Sequence, residues 1–218
     1  MAITKKRAVG IPTIDVALVV IRIGDSTNGT EIAVDTASQI AVEPQTETED
    51  AIQLVKLGRL LAQKPATTTI TGHQITLTDN VFTPEIVQIL QGGQVQGEGQ
   101  TLTYQPPVAG SGEKGQIFEL DVYSAEYDAS GQIVKYEKIT YPNCQGSPIT
   151  INTEDNVFRV PEYTITSAPK SGQPPYKISY VLTLPDFDSE EESLMNDMGT
   201  LETSMSVPNM QSTEVSTL

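Results

Sequence analysis

The sequence predicts a mainly β fold, a β-sandwich or barrel of two packed antiparallel sheets with one short flanking α-helix. Three observations carry this. About eight to ten short strand-like runs are separated by Gly-, Pro- and Asn-rich turns. Thr, Val and Ile are plentiful and Trp is absent, a mix that suits pleated surfaces. Only one stretch, Thr83 to Gly93, reads clearly as helix, so the helix must pack on sheet.

That helix is predicted over Pro84–Gln91. Thr83 is placed to cap it with its hydroxyl, and Pro84 stands at the first helical position, where a missing N–H costs nothing. Glu85 faces the positive end of the helix dipole, and Gly92 or Gly93 provides the left-handed stop. Ile86, Val87, Ile89 and Leu90 form one broad apolar face. With roughly two turns the helix cannot stand alone and must be clamped by its surroundings.

The strands follow in order. Asp15–Ile23 is apolar on both faces, as in a central strand, and Gly24–Gly29 is a loop with an Asn-Gly turn. Short strands are expected at Glu31–Val34 and Gln39–Val42, then an acidic loop from Glu43 to Asp50 that contains Pro44. Ile52–Gln63 is ambiguous; Gly58 disfavours helix, and strand is the preferred reading, paired with Thr67–Thr78 through a bend at Lys64-Pro65-Ala66. Gly72-His73 marks an irregularity. Gln94–Gly115 is a connection in which Leu102 and Tyr104 alternate with Thr until Pro106-Pro107. Ile117–Tyr127 and Gln132–Tyr141 form a hairpin across Asp128–Gly131. Pro142–Pro148 reads as loop, Thr150–Asn152 as a short strand, Asn156–Thr166 as a strand, Pro169–Pro175 as a turn and Tyr176–Leu184 as the last strand. The expected division is an arm at 1–13, a sandwich domain at 14–185 and an acidic tail at 186–218. The tail has no aromatic beyond Phe187 and should not pack as a domain, although Leu194, Met195 and Met198 allow a short docking helix.

The 218 residues include 13 Lys+Arg and 28 Asp+Glu, a net charge of -15. Eight of the acids and none of the bases lie from Asp186 onward. A nucleic-acid reader would carry a basic stripe, and none is present. The longest apolar run near the N-terminus, Val16–Ile21, is too short to span a bilayer, and Arg22 after it argues against a signal peptide. The lone Cys144 excludes an internal disulfide.

Motifs for chemistry are sparse. His73 is the only histidine and has no second imidazole or cysteine cluster to build a metal site. Cys144 needs a base, and only a Cys144–His73 pair could supply one; nothing in the spacing supports it. Gly110–Gly115 lacks the Gly-Lys-Ser/Thr ending of a phosphate loop. Asp186–Glu190 begins like a calcium loop, but Glu191 stands where glycine is required. Asn28-Gly29-Thr30 is a glycosylation sequon with meaning only in a secreted chain. No enzyme, metal or cofactor is expected.

Five segments carry a family resemblance: Glu31–Ala37, Val42–Glu47, Ala62–Ala66, Thr71–Glu85 and Ile89–Gly93. Together, and most specifically in Leu77-Thr78-Asp79-Asn80-Val81-Phe82-Thr83-Pro84-Glu85, they resemble the tail tube (major tail) proteins of tailed bacteriophages, especially those of Gram-positive hosts. The resemblance spans roughly residues 15–95 and does not cover the chain after Pro185. It implies a virion structural protein whose hexameric rings stack into a tube. Implied partners are further copies of itself, the tape-measure protein, a tail-tip or baseplate initiator, a tail terminator, a sheath protein if the tail contracts, and double-stranded DNA passing without sequence recognition. The location implied is the virion tail, after assembly in the host cytoplasm, with no membrane anchor. The residues assigned roles are Thr83, Pro84, Ile86, Ile89, Leu90 and Gly92 in helix capping and packing, and Lys5, Lys6 and Arg7 as an arm meeting acids of a neighbouring ring. An acidic lumen would let DNA slide. The alternatives are a non-catalytic binding module of the surface-adhesin kind and the tube of a contractile phage-tail-like bacteriocin.

Overall fold

A computed structural model describes residues 10–24, 29–97, 101–151 and 153–187. The chain divides into two compact units, Met1–Leu184 and Pro185–Leu218. Among the described residues there are twelve strands and one α-helix, all in the first unit. They are β1 (Thr13–Ile23), β2 (Thr30–Val34), β3 (Ala37–Glu49), β4 (Ile52–Lys56), β5 (Arg59–Lys64), β6 (Thr67–Asp79), α1 (Pro84–Gln91), β7 (Gln94–Gln96), β8 (Thr103–Gln105), β9 (Phe118–Tyr127), β10 (Ile133–Gly146), β11 (Glu162–Ser167) and β12 (Lys177–Val181). The predicted class holds: the protein is mainly β with antiparallel sheets and one helix, and no barrel closes.

Eight strands form one sheet in the order β2-β1-β9-β10-β11-β6-β3, with β12 added on β10. Strand β10 is the corner. Its first part pairs with β9 on one edge and, over Tyr136–Thr140, with β12 on the other. The register then slips between Tyr141 and Cys144, where Asn143 takes a positive φ of 47°. Beyond that bulge Cys144–Gly146 pairs with β11 instead. A bulge bends a strand and raises its twist, which turns the second half of the sheet over the first. The two ends of the sheet, β2 and β3, are linked through only Asp35 and Thr36. Fully buried Asp79 pins this return: it accepts a bond from the Thr36 hydroxyl and another, at 2.7 Å, from the Asn80 N–H.

The core lies inside this curl. Val19 and Ile21 of β1, Ile75 and Leu77 of β6, Leu120 and Val122 of β9, and Tyr163 and Ile165 of β11 meet Ile86, Val87, Ile89 and Leu90 of the helix. The predicted apolar face of α1 is therefore the buried one. The far face of β1 is buried too, at Leu18 and Val20, as a central strand requires. The helix is clamped as expected. Gln91 donates to the Tyr104 hydroxyl at 2.8 Å, Tyr104 donates to the Gly92 carbonyl at 2.8 Å, and the Gln116 N–H donates to the Ile89 carbonyl at 2.8 Å. Two details differ from expectation. The Thr83 side chain makes no capping bond, so Thr83 fills the cap position by backbone alone. Gly92 stops the helix at φ 83° and ψ −166°, a region open essentially to glycine only, not the left-handed helical one.

Several expected boundaries also move. Glu43–Glu49 is not loop but the outer part of β3, and Pro44 is tolerated because β3 is an edge strand, where a missing N–H breaks no ladder. Pro142–Gly146 continues β10 through the bulge. Thr150 and Ile151 are not strand, and Asn152 lies outside the described residues. Asn156–Pro161 is irregular, so β11 begins only after Pro161. The last strand is shorter than expected and ends at Val181. The Asn-Gly turn at Asn28 lies outside the described residues.

Gly146 shows how closely the helix sits on β10. A Cβ there would stand 2.5 Å from the Leu90 Cα. Gly146→Ala is expected to cost about 1–3 kcal/mol through overpacking, read as a lower urea midpoint at unchanged slope. An unchanged midpoint would contradict this packing.

Candidate assembly interface

Among the described residues, the longest unbroken exposed run is built from β3, β4, β5 and β6. Strands β4 and β5 pair with each other, not with Thr67–Thr78 as the sequence suggested. They nevertheless prolong the β3–β6 ladder. Thr48 opposes Thr68 and Glu49 opposes Thr67; after the break at Asp50-Ala51 and Pro65-Ala66, Ile52 opposes Lys64 and Gln53 opposes Gln63 in the same register. The result is one two-stranded ribbon running to a turn at Leu57-Gly58, both with positive φ. Its contour from Glu43 to Lys56 is about 45 Å at the usual strand rise. The expected irregularity at Gly72 is real: β6 carries Thr71 as an extra residue opposite Gln45 and Thr46.

Every residue from Glu43 to Thr71 is exposed. Thr46, Thr48, Thr68 and Ile70 line one face of the inner ribbon, and Glu43, Glu47 and Glu49 line the other. The outer ribbon is apolar on both faces: Ile52, Leu54, Val55, Leu60 and Leu61 are 54–65% exposed, and Leu57 at the tip is 94% exposed. A two-stranded hairpin with nothing beneath it is marginal in water. Fully burying an aliphatic side chain is worth about 1.5–3 kcal/mol, so half-burying six offers on the order of 5–9 kcal/mol. That is comparable to the cost of association itself, about 4–15 kcal/mol. A single arm contact would be weak; contacts repeated around a closed assembly would not.

The charges separate into those satisfied within the chain and those left over. Arg22 bridges Glu31, Glu119 and Asp121 at 2.6, 2.9 and 2.9 Å, across β2, β1 and β9. Fully buried Asp121 also holds Lys138 at 2.7 Å and accepts a bond from Thr140. Burial alone would lower the Lys138 pKa, but the hydrogen bond and charge of Asp121 outweigh it and raise the pKa. Lys135 pairs with Glu126 at 3.2 Å. By contrast, no ion pair among the described residues holds Lys56 or Arg59, which flank the arm tip. A second exposed apolar patch with unpaired charge lies in the irregular segment before β11: Phe158 is 95% exposed, Val157 and Val160 are exposed, and Glu154 and Asp155 stand beside them.

The residues weighed for chemistry are not brought together. His73 is buried edge-on against the rings of both Tyr141 and Tyr176, with Ser167 Oγ 3.5 Å from Nδ1, and burial lowers its pKa. Cys144 is fully buried, donates to the Tyr141 carbonyl at 3.3 Å, and has its thiol pKa pushed up to about 12 by burial. A thiol so disposed is not a thiolate at neutral pH. The helix residues Ile86, Ile89 and Leu90 are buried in the core, and Pro84 takes the start of the helix. Lys5, Lys6 and Arg7 lie outside the described residues. Sequence reading missed the arm; the surplus of aliphatics in Ile52–Leu61 without a clean period was its one available signal.

No family model and no curated protein matches the chain. Among solved structures, it is similar to a chain of the anti-feeding prophage cap, a tube-terminating cap, at TM-score 0.39 and 14% identity over 82% of this chain and 99% of that one. It is similar to a chain of the anti-feeding prophage baseplate at TM-score 0.34 and 10% identity, over 83% and 100%. It is also similar to a chain of the sheath–tube complex of an extracellular contractile injection system in the extended state, at TM-score 0.34 and 13% identity over 80% and 93%. Likeness at that distance does not measure shared function.

Two outcomes are expected. Because the folded thiol of Cys144 stays protonated to about pH 12, it should resist maleimide at pH 8 until the protein unfolds. Its contribution to stability is present below the unfolded thiol pKa and is lost as pH rises toward 12; prompt labelling of folded protein would contradict its burial. Lys138→Met should destabilise by about 3 kcal/mol, since it strips a partner from buried Asp121, and a shift in the urea midpoint checks this.

Proposed function

We propose that this chain is a structural subunit that polymerises as stacked hexameric rings into the tube of a phage tail or phage-tail-like particle. The observation that carries the reading is the arm: a long β-ribbon, aliphatic on both faces at its end, attached to a sandwich that buries its own core. Such a ribbon gains stability only from another surface, and a heterologous contact repeated around a ring provides one in every subunit. The resemblance in Leu77–Glu85 to tail tube proteins supports the same reading.

On this reading the chain is not an enzyme and works in the virion tail after assembly in the host cytoplasm. Its partners are its own copies, the tape-measure protein, a tail-tip or baseplate initiator, a terminator, and a sheath protein where the tail contracts. Double-stranded DNA passes through the lumen. The acidic balance of the chain fits a lumen that does not retain phosphate, since it offers no dense cation array.

Negative-stain electron microscopy of the purified protein over a concentration series, with and without a tail-tip complex, tests this. Rings or hollow tubes are expected. Replacing residues 52–64 by a short turn should leave the melting of the sandwich nearly unchanged and abolish the particles. A protein that remains monomeric even beside the tail tip would favour the binding-module reading.

A further inference from the structure

We infer that the arm tip of one copy docks on the Glu154–Val160 segment of the next. The inference rests on the self-assembly reading and names the surface that receives the arm. The two surfaces are complementary in both chemistry and charge. The tip presents Leu57, Leu60 and Leu61 beside Lys56 and Arg59; the segment presents Val157, Phe158 and Val160 beside Glu154 and Asp155. The two most exposed large apolar side chains of the described residues, Phe158 at 95% and Leu57 at 94%, sit one on each surface. Within one copy all of these apolar side chains are exposed.

The remaining charges on the segment do not oppose this pairing. Its one cation, Arg159, is turned onto the Phe82 ring, 4.2 Å from the centroid, and is outnumbered by the two acids. The segment is anchored at its C-terminal end. The Asp79 N–H donates to the Pro161 carbonyl at 3.0 Å, and β11 begins immediately afterward. Phe158 is therefore displayed from a fixed base beside the Asp79 corner. An aromatic anchor ringed by charge, met by aliphatics ringed by opposite charge, is the composition of an interface centre. The contact joins two different patches, so it propagates from copy to copy and does not end at a dimer.

A charge reversal tests it. K56E/R59E and E154K/D155K should each raise the critical concentration for assembly by roughly tenfold or more, read by sedimentation and electron microscopy. The four changes together should restore assembly to near the wild-type concentration. Melting curves check that each variant folds. Independently, L57C and F158C on separate chains, mixed and mildly oxidised, should give an intermolecular disulfide in assembled particles and not in dilute monomer; Cys144 is buried and silent. Assembly that is normal in wild type but not restored in the fourfold variant, or particles without the Leu57–Phe158 crosslink, would overturn the docking site while leaving self-assembly standing. Wild-type protein that never assembles would overturn both.

Discussion

The fold depends on one strand changing partners. Up to Thr140, β10 holds β9 on one side and β12 on the other; past the bulge at Pro142-Asn143 it keeps β9 at Cys144 and exchanges β12 for β11. Without that switch β11, β6 and β3 would have no hydrogen-bonded link to β9, β1 and β2. The bulge turns one sheet into two facing layers, and the core of Ile21, Leu120, Leu77, Ile165 and Tyr163 is the space between them. The helix fills the remaining gap, with Leu90 against Gly146 just beyond the bulge. Across the first layer, Arg22 ties β2, β1 and β9 through three carboxylates, and Lys138 extends the tie to β10 through Asp121. These charges are consumed in holding strands and are not available to partners.

The arm follows from the same topology. Strands β3 and β6 form the edge of the second layer, and both run on past the core. Inside, Ile75, Leu77, Ile40 and Val42 are covered; outside, the same pairing continues with nothing to cover it. The register carries through the Pro65 break, so the ribbon is one structure, although its two halves are chemically different. The inner half is threonine and glutamate, which water tolerates. The outer half is leucine, isoleucine and valine, which it does not.

Much of this was legible in the sequence. Alternation located β9 and the start of β10, and the Thr-Pro-Glu start with its Gly-Gly end located α1 to the residue. The misreadings share causes. Pro44 and Pro142 suggested loops because proline breaks a central ladder; one lies on an edge and the other at a bulge, where it does not. The strand expected at Asn156–Thr166 begins only at Glu162, because Val157, Phe158 and Val160 have no core behind them and are exposed. Strands β4 and β5, likewise exposed, pair with each other and not with Thr67–Thr78. The corner at Asp79 and the Arg22 ladder could not be read at all, since they join residues far apart in the chain. The arm was visible only as aliphatics with no consistent period.

The central claim is that the ribbon beyond Glu43 is stabilised by other copies and not by its own sandwich. Hydrogen–deuterium exchange on dilute monomer and on assembled particles tests it most directly. The account predicts that amides of Ile52–Lys64 exchange nearly as fast as an unstructured peptide in the monomer and become protected in particles, while Val19, Ile21, Leu120 and Val122 are protected in both. Equal, strong protection of Ile52–Lys64 in the dilute monomer would contradict it.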